Sequence, residues 1–152
     1  MNKSLRAAAL CVGFSFAAGC TTDGGTRGPM EYFSAEDPGA AYSNAVRVGD
    51  VLYLAGQIGI RPDGSIPEGI EEQTRLALEN MSAQLQSLGS SMDNVFNCAA
   101  MLTDMSTWGE FNKVYASFFK SGRLPARSSF GVAGLALKEL KVELVCQAYS
   151  PR

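Results

Sequence analysis

The chain has 152 residues, 46% apolar and 18% charged, a balance that suits one ordinary globular domain with a sizeable core. It contains no histidine, which excludes a Ser-His-Asp triad, a Cys-His pair and most zinc sites. A formal charge of −2 without a Lys/Arg cluster argues against nucleic acid as the main partner, so any chemistry falls to carboxylates, Arg, Lys, Tyr, Ser, Cys or backbone groups.

Lys3 and Arg6 precede an apolar run from Ala7 to Ala18. At roughly a dozen residues it has the length of a secretory h-region and is too short to span a bilayer as a helix. The run closes on Ala17-Ala18-Gly19-Cys20, which resembles the lipobox of bacterial lipoproteins, with Ala17 where Leu is usual. Residues 1–19 are therefore expected to be a lipoprotein signal peptide and Cys20 the lipidated residue. The chain would then be held at the membrane, on the periplasmic side of the cell envelope, by its N-terminal lipid. A plain cleaved signal peptide and an uncleaved terminus are the alternatives. Thr21 after the cysteine, in place of Asp, resembles an outer-membrane sorting pattern. Loss of residues 1–19 removes Lys3 and Arg6, leaving eleven basic against fifteen acidic residues and a formal charge of −4.

Residues 20–35, with Gly24, Gly25, Gly28 and Pro29, show no apolar periodicity and read as a flexible tether. The folded domain is expected over 36–152, its first strand beginning near Tyr42. Ala45, Val46 and Val48, then Gly49-Asp50, then Val51 to Leu54 predict two strands joined by a tight turn. Gly56, where the second strand runs on into Gln57-Ile58-Gly59, predicts a bulge or a close backbone approach.

Apolar residues at 70, 77, 78, 81, 85 and 88 recur at helical spacing. Glu71 and Glu72 suit the first turn of that helix, and Gly89 stands where a left-handed stop would go. Val95 to Leu102 reads as a strand. Thr107 and Glu110 have the spacing of a capping box, after which Trp108, Phe111, Val114, Tyr115 and Phe118 point inward from a second helix ending near residues 120–122. Ser129 to Val132 and Val142 to Tyr149 complete the order β-β-α-β-α-β-β, an α+β domain with one sheet covered on one face by two helices. Cys98 and Cys146 fall inside apolar strand patterns, where buried free thiols are the expectation. An oxidising envelope makes a disulfide the alternative.

Pro125-Ala126-Arg127-Ser128 followed by Val142-Glu143 resembles the signature of the Rid proteins, the reactive-intermediate deaminases also called the YjgF/UK114 family. Ala55-Gly56-Gln57-Ile58, the Asn112-x-x-Tyr115-x-x-Phe118-Phe119 helix and Tyr42 support it, and together the matches span about residues 36 to 150. The resemblance implies a chorismate-mutase-like fold assembled as a homotrimeric barrel with ligand clefts between subunits. It also implies hydrolysis of 2-enamine or 2-imine derivatives of amino acids to 2-keto acids and ammonia. Arg127 would bind the substrate carboxylate and Glu143 would orient or activate water. Tyr42 would line the cleft, Asn112 would lie near its wall, and Ser129 would stand where many members have Cys. Ala55 replaces a frequent pocket Ser, and Ala41 falls where a Gly-Pro pair usually precedes the Tyr.

The chemistry is consistent with these residues. A protonated imine beside a carboxylate is already electrophilic, so hydrolysis needs a fixed orientation, a positioned water and a proton acceptor. An Arg anchor and a Glu supply these, and no metal or organic cofactor is required. A non-catalytic carboxylate-binding lipoprotein on the same trimer is the alternative.

Overall fold

The computed structural model describes residues 30–35 and 37–151; the lipobox, Cys20 and most of the expected tether lie outside them. The strands are β1 (Glu31–Ser34), β2 (Ser43–Val48), β3 (Val51–Leu54), β4 (Gln57–Ile58), β5 (Val95–Leu102), β6 (Ala126–Gly131) and β7 (Val142–Tyr149). Two helices, α1 (Ile70–Ser87) and α2 (Trp108–Ser117), lie between β4 and β5 and between β5 and β6. The strands form one sheet in the order β1-β2-β3-β7-β5-β6, with β4 pairing β7 beyond the end of β3. Only the β5–β6 pair is parallel, as its helical crossover through α2 requires.

Alternation along β7 shows how the layers arise. Val142, Leu144, Cys146 and Ala148 are buried against the helices, while Glu143, Val145 and Gln147 face the other way. The helix-facing set packs with Leu52, Leu54, Ala100 and Leu102 of the sheet and with Ala77, Leu78, Met81, Leu85, Phe111 and Tyr115 of the helices. This is the α+β, two-helices-on-one-face arrangement that the hydrophobic pattern predicts.

The α1 stripe is buried along Ile70, Ala77, Leu78, Met81 and Leu85, and it also takes in the polar Gln73 and Thr74. Gln73 is satisfied there: its amide donates to the carbonyls of Pro67 and Glu139, and its oxygen accepts from the Lys141 N–H. Gly89 closes the helix as expected, at φ 74°, with Gly89 N–H donating to Gln86 and Ser90 N–H to Leu85. The capping box at Thr107 does not form. A 3₁₀ turn, Met105–Thr107, leads into α2, and Asp104 caps it by accepting from the Ser106 N–H.

Three further differences from the sequence reading matter for function. The fold begins earlier than expected, since Glu31–Ser34 pairs with β2 instead of belonging to the tether. Buried Arg47 fixes that strand: its guanidinium contacts Glu31 at 3.3 Å, donates to the carbonyls of Ser150 and Leu88, and lies over the Phe33 ring. Second, β6 starts at Ala126, so Arg127 sits within a strand and not ahead of it. Third, Cys98 and Cys146 are not free thiols. They are register partners across β5 and β7, both on the helix face with Cα atoms 4.1 Å apart, and they form a disulfide. Two buried thiols and a bonded pair give the same apolar strand pattern, and only register separates them.

The disulfide closes a segment with a sequence separation of 48 that contains α2, β6 and most of β7. In chain-entropy terms that closure is worth on the order of 4 kcal/mol. Cys98→Ala/Cys146→Ala is therefore expected to melt roughly 10 °C below the oxidised chain. Thiol titration of the denatured, unreduced protein in a Cys11→Ala/Cys20→Ala background should find neither Cys98 nor Cys146 free; two titratable thiols there would contradict the bond.

Candidate functional site

Arg127 is carried by β6, next to Cys98 of β5 in the parallel ladder, which puts its side chain on the helix face of the sheet. There it meets one side of α2. Trp108, Phe111 and Tyr115 recur at helical spacing and stack at centroid separations of 5.8 and 5.5 Å, with Phe119 continuing the row at 4.9 Å. The guanidinium carbon lies 4.8, 5.1 and 4.3 Å from the rings of Trp108, Phe111 and Tyr115. It thus rests on a floor of negative π-faces. Nη2 donates to Asn112 Oδ1 at 2.5 Å. No carboxylate among the described residues comes within ion-pair distance of it.

Burial lowers the Arg127 pKa, an effect that Tyr115 partly opposes, and the group remains a cation at any ordinary pH. The result is a half-buried positive charge with aromatic contacts and one neutral acceptor. A cavity of about 430 Å³ opens beside it, lined by Asn112, Tyr115, Ala116, Leu124, Pro125 and Arg127. Ser129 shares the helix face of β6, and its Oγ is buried without a hydrogen-bond partner; the Tyr115 hydroxyl is likewise unpartnered.

Glu143 occupies a different place. It lies between Val142 and Leu144, opposite Met101 of β5 and Ile58 of β4, and so projects from the open face of the sheet. With it are Tyr42, Tyr53, Ala55, Gly56 and Ala136, around a cavity of about 550 Å³. Tyr42 is 64% exposed at the mouth of β2. Asn80 of α1 shapes this region from behind, donating to the carbonyls of Ile58 and Ile60.

The expected site residues therefore fall into two groups within one chain. Arg127, Asn112 and Ser129 lie on the helix side; Glu143 and Tyr42 lie on the open side. Ala55 joins the second group. The aromatic floor of Arg127 is a feature that hydrophobic periodicity misses, since it assigns Trp108, Phe111 and Tyr115 to core packing. Their 108, 111, 115, 119 spacing is the available signal, although nothing in it names a cation as their neighbour. Among the described residues no cluster of His, Cys, Asp and Glu could hold a metal ion.

Tyr115 offers a test of this packing. Burial raises its pKa from 10.0 to about 12, against the pull of the Arg127 charge. A phenol with a raised folded-state pKa contributes stability that is complete below pH 10 and is lost as pH rises through 12. Alkaline unfolding followed by circular dichroism should show a stability loss in that window that Tyr115→Phe reduces.

The chain is similar in sequence and structure to a well-populated group of proteins. The sequence model of the family described as Endoribonuclease L-PSP matches residues 33–150. A RutC family protein of Pyrococcus horikoshii is 38% identical over 118 residues, 76% of this chain and 92% of its own. The human 2-iminobutanoate/2-iminopropanoate deaminase is 36% identical over 106 residues, 67% of this chain and 77% of its own. Among solved structures, a Rid family protein of Yersinia pestis superimposes with a TM-score of 0.73 at 32% identity, covering 80% of this chain and 99% of the other. Yeast Mmf1 gives a TM-score of 0.72 at 33% identity, with 80% and 99% covered. With the match running through almost the whole described fold, from β1 to the end of β7, the chain belongs to the Endoribonuclease L-PSP family, that of the YjgF and Rid proteins.

Proposed function

We propose that this chain hydrolyses 2-imino acids, and the 2-enamines in equilibrium with them, to 2-keto acids and ammonia. The site would form where Arg127 of one subunit meets Glu143 of the next in a homotrimer. The observation that carries this reading is the half-buried Arg127 guanidinium, which has no carboxylate partner among the described residues and opens onto a cavity. A desolvated cation without a counter-ion favours an anionic ligand, and a guanidinium matches a carboxylate through two parallel hydrogen bonds. The names of the mouse, rat and human relatives, deaminases of 2-iminobutanoate and 2-iminopropanoate, identify ligands of that kind for those proteins. Opposite-face placement of Arg127 and Glu143 supports a site shared between copies, because one chain does not bring them together.

In this mechanism Arg127 holds the carboxylate and so fixes the C2 carbon of the iminium. Water adds to C2 as Glu143 takes one of its protons, and the C–N π pair moves to nitrogen. Glu143 returns that proton to the amino group of the tetrahedral adduct, the C–N bond breaks as the oxygen proton passes to Glu143, and the released ammonia takes it up. Iminium and water thus become keto acid and ammonium. Ala55 lines the Glu143 half-site, and Ser129 lies two residues beyond Arg127 on the same face of β6. In a second reading the same half-sites bind a carboxylate without turnover. The absence of a hydroxyl at Ala55 beside Glu143 favours it.

The assay couples an amino-acid oxidase, as imine source, to keto-acid release. Wild-type protein should accelerate release, and Arg127→Ala should lose about 2–4 kcal/mol of transition-state stabilisation, roughly 30- to 1000-fold in rate. Arg127→Ala and Glu143→Gln subunits, each inactive alone, should regain activity when refolded together, up to about a quarter of the wild-type level for random mixing in a ring. Ligand-induced thermal stabilisation without turnover would favour the second reading. We further propose that the chain is anchored by lipid at Cys20 on the periplasmic side of the envelope, on the strength of the Ala17-Ala18-Gly19-Cys20 run. Palmitate fed to expressing cells should label the wild-type chain and leave Cys20→Ala unlabelled.

A further inference from the structure

The Glu143 carboxylate owes its position to a missing side chain. Ile58 stands opposite Glu143 in the β4–β7 ladder, and Gly56, two residues earlier, projects toward the same open face. A Cβ placed on Gly56 would lie 2.8 Å from Glu143 Cδ and 3.2 Å from Cγ, and it would overlap Oε1 outright. The carboxylate therefore lies flat against the bare backbone between β3 and β4, in space that any other residue would fill. The backbone itself does not require glycine. Among the described residues the positive-φ glycines are Gly49, Gly64, Gly69, Gly89 and Gly122, and Gly56 is not one of them. Gly59, three residues on, is a contrasting case: a Cβ there would strike the α1 backbone at Gln73, 2.5 Å from the carbonyl oxygen and 2.7 Å from Cα. At Gly59 the space is needed for packing, whereas at Gly56 it is occupied by the end of one flexible, ionisable side chain.

We infer that Gly56 is a positioning residue for Glu143, keeping vacant the space in which the carboxylate must lie to reach water at the bound imine. A methyl group at this position leaves the fold intact, because the three atoms nearest to it all belong to a side chain that can swing aside. The carboxylate then swings with it. The inference rests on the assignment of Glu143 as the proton-handling group, and its test is arranged to separate the two.

Gly56→Ala is expected to melt at or above the wild-type temperature, since removing glycine from an unstrained position restricts the unfolded chain. Its kcat should fall ten- to a hundredfold, the scale on which a displacement of about 1 Å in a reacting group acts. KM should stay within about twofold, because the Arg127 anchor is untouched. In Glu143→Ala the side chain that occupies this space is gone, so adding Gly56→Ala to it should change the residual kcat by less than about twofold. An unchanged kcat in Gly56→Ala, a fall in kcat matched by a fall in Tm, or a full additional loss on the Glu143→Ala background would each overturn the inference. If the wild-type chain turns over no imine, the deaminase reading fails while the positioning inference is still decided by ¹³C NMR. The Glu143 carboxyl resonance, identified by its loss in Glu143→Gln, should shift in Gly56→Ala, and an unmoved resonance would refute the role.

Discussion

The antiparallel ladder between β5 and β7 is the constraint on which the rest of the structure depends. β7 is bordered by β3 and β4 on one side and β5 on the other, so its register sets that of the sheet. Cys98 and Cys146 lock this ladder by a covalent bond, with both side chains in the core and almost no solvent exposure. Because side chains alternate, fixing this one pair fixes which residues of β5, β6 and β7 face the helices. Arg127 inherits its face from Cys98, and Glu143 takes the face opposite to Leu144 and Cys146. A slip of one residue in β7 would turn Glu143 to the helix face and bury a carboxylate in the core. A disulfide of this kind persists where the surroundings are oxidising, which agrees with the envelope location proposed from the N-terminal sequence.

The environment of Arg127 and that of Arg47 show two ways of burying a guanidinium. Arg47 is paid for in full, by a carboxylate at 3.3 Å, two carbonyls and an aromatic ring, and it serves as a bolt between β1, the end of α1 and the end of β7. Arg127 has three rings and one amide oxygen. Cation–π contacts contribute about 0.5–2 kcal/mol each, enough to orient the group and less than the several kcal/mol that removing a charge from water costs. The proposed carboxylate ligand would supply the counter-charge that the described residues do not. The aromatic row supplies rigidity without supplying a competing anion, so the hydrogen-bonding edge stays open to a ligand.

Much of the architecture was legible in the residues. The α1 stripe and its Gly89 stop, the strands from Val51, Val95 and Val142, and the single face covered by helices all follow from local periodicity and turn chemistry, which act within one or two turns of chain. The failures have a common physical origin. The capping box at Thr107 has the right spacing, but the Thr107 hydroxyl and N–H both donate to the Asp104 carbonyl instead. The strand at Glu31–Ser34 has little periodicity of its own and is held by Arg47, sixteen positions away in the Glu31 register. Gly56 suggested a close backbone approach; what approaches it is the Glu143 carboxylate.

The sequence by itself determined the chemistry that is available. It supplies an arginine and a glutamate in recognisable surroundings, withholds histidine altogether, and specifies an α+β order through its apolar spacing. Tertiary structure alone decided how those groups are placed. It paired Cys98 with Cys146, laid Arg127 on Trp108, Phe111 and Tyr115, set Glu143 over Gly56, and put Arg127 and Glu143 on opposite faces of one sheet. The reason is one of range. Periodicity and caps are energies between residues a few positions apart, whereas strand register joins residues tens of positions apart and leaves no local trace in the chain.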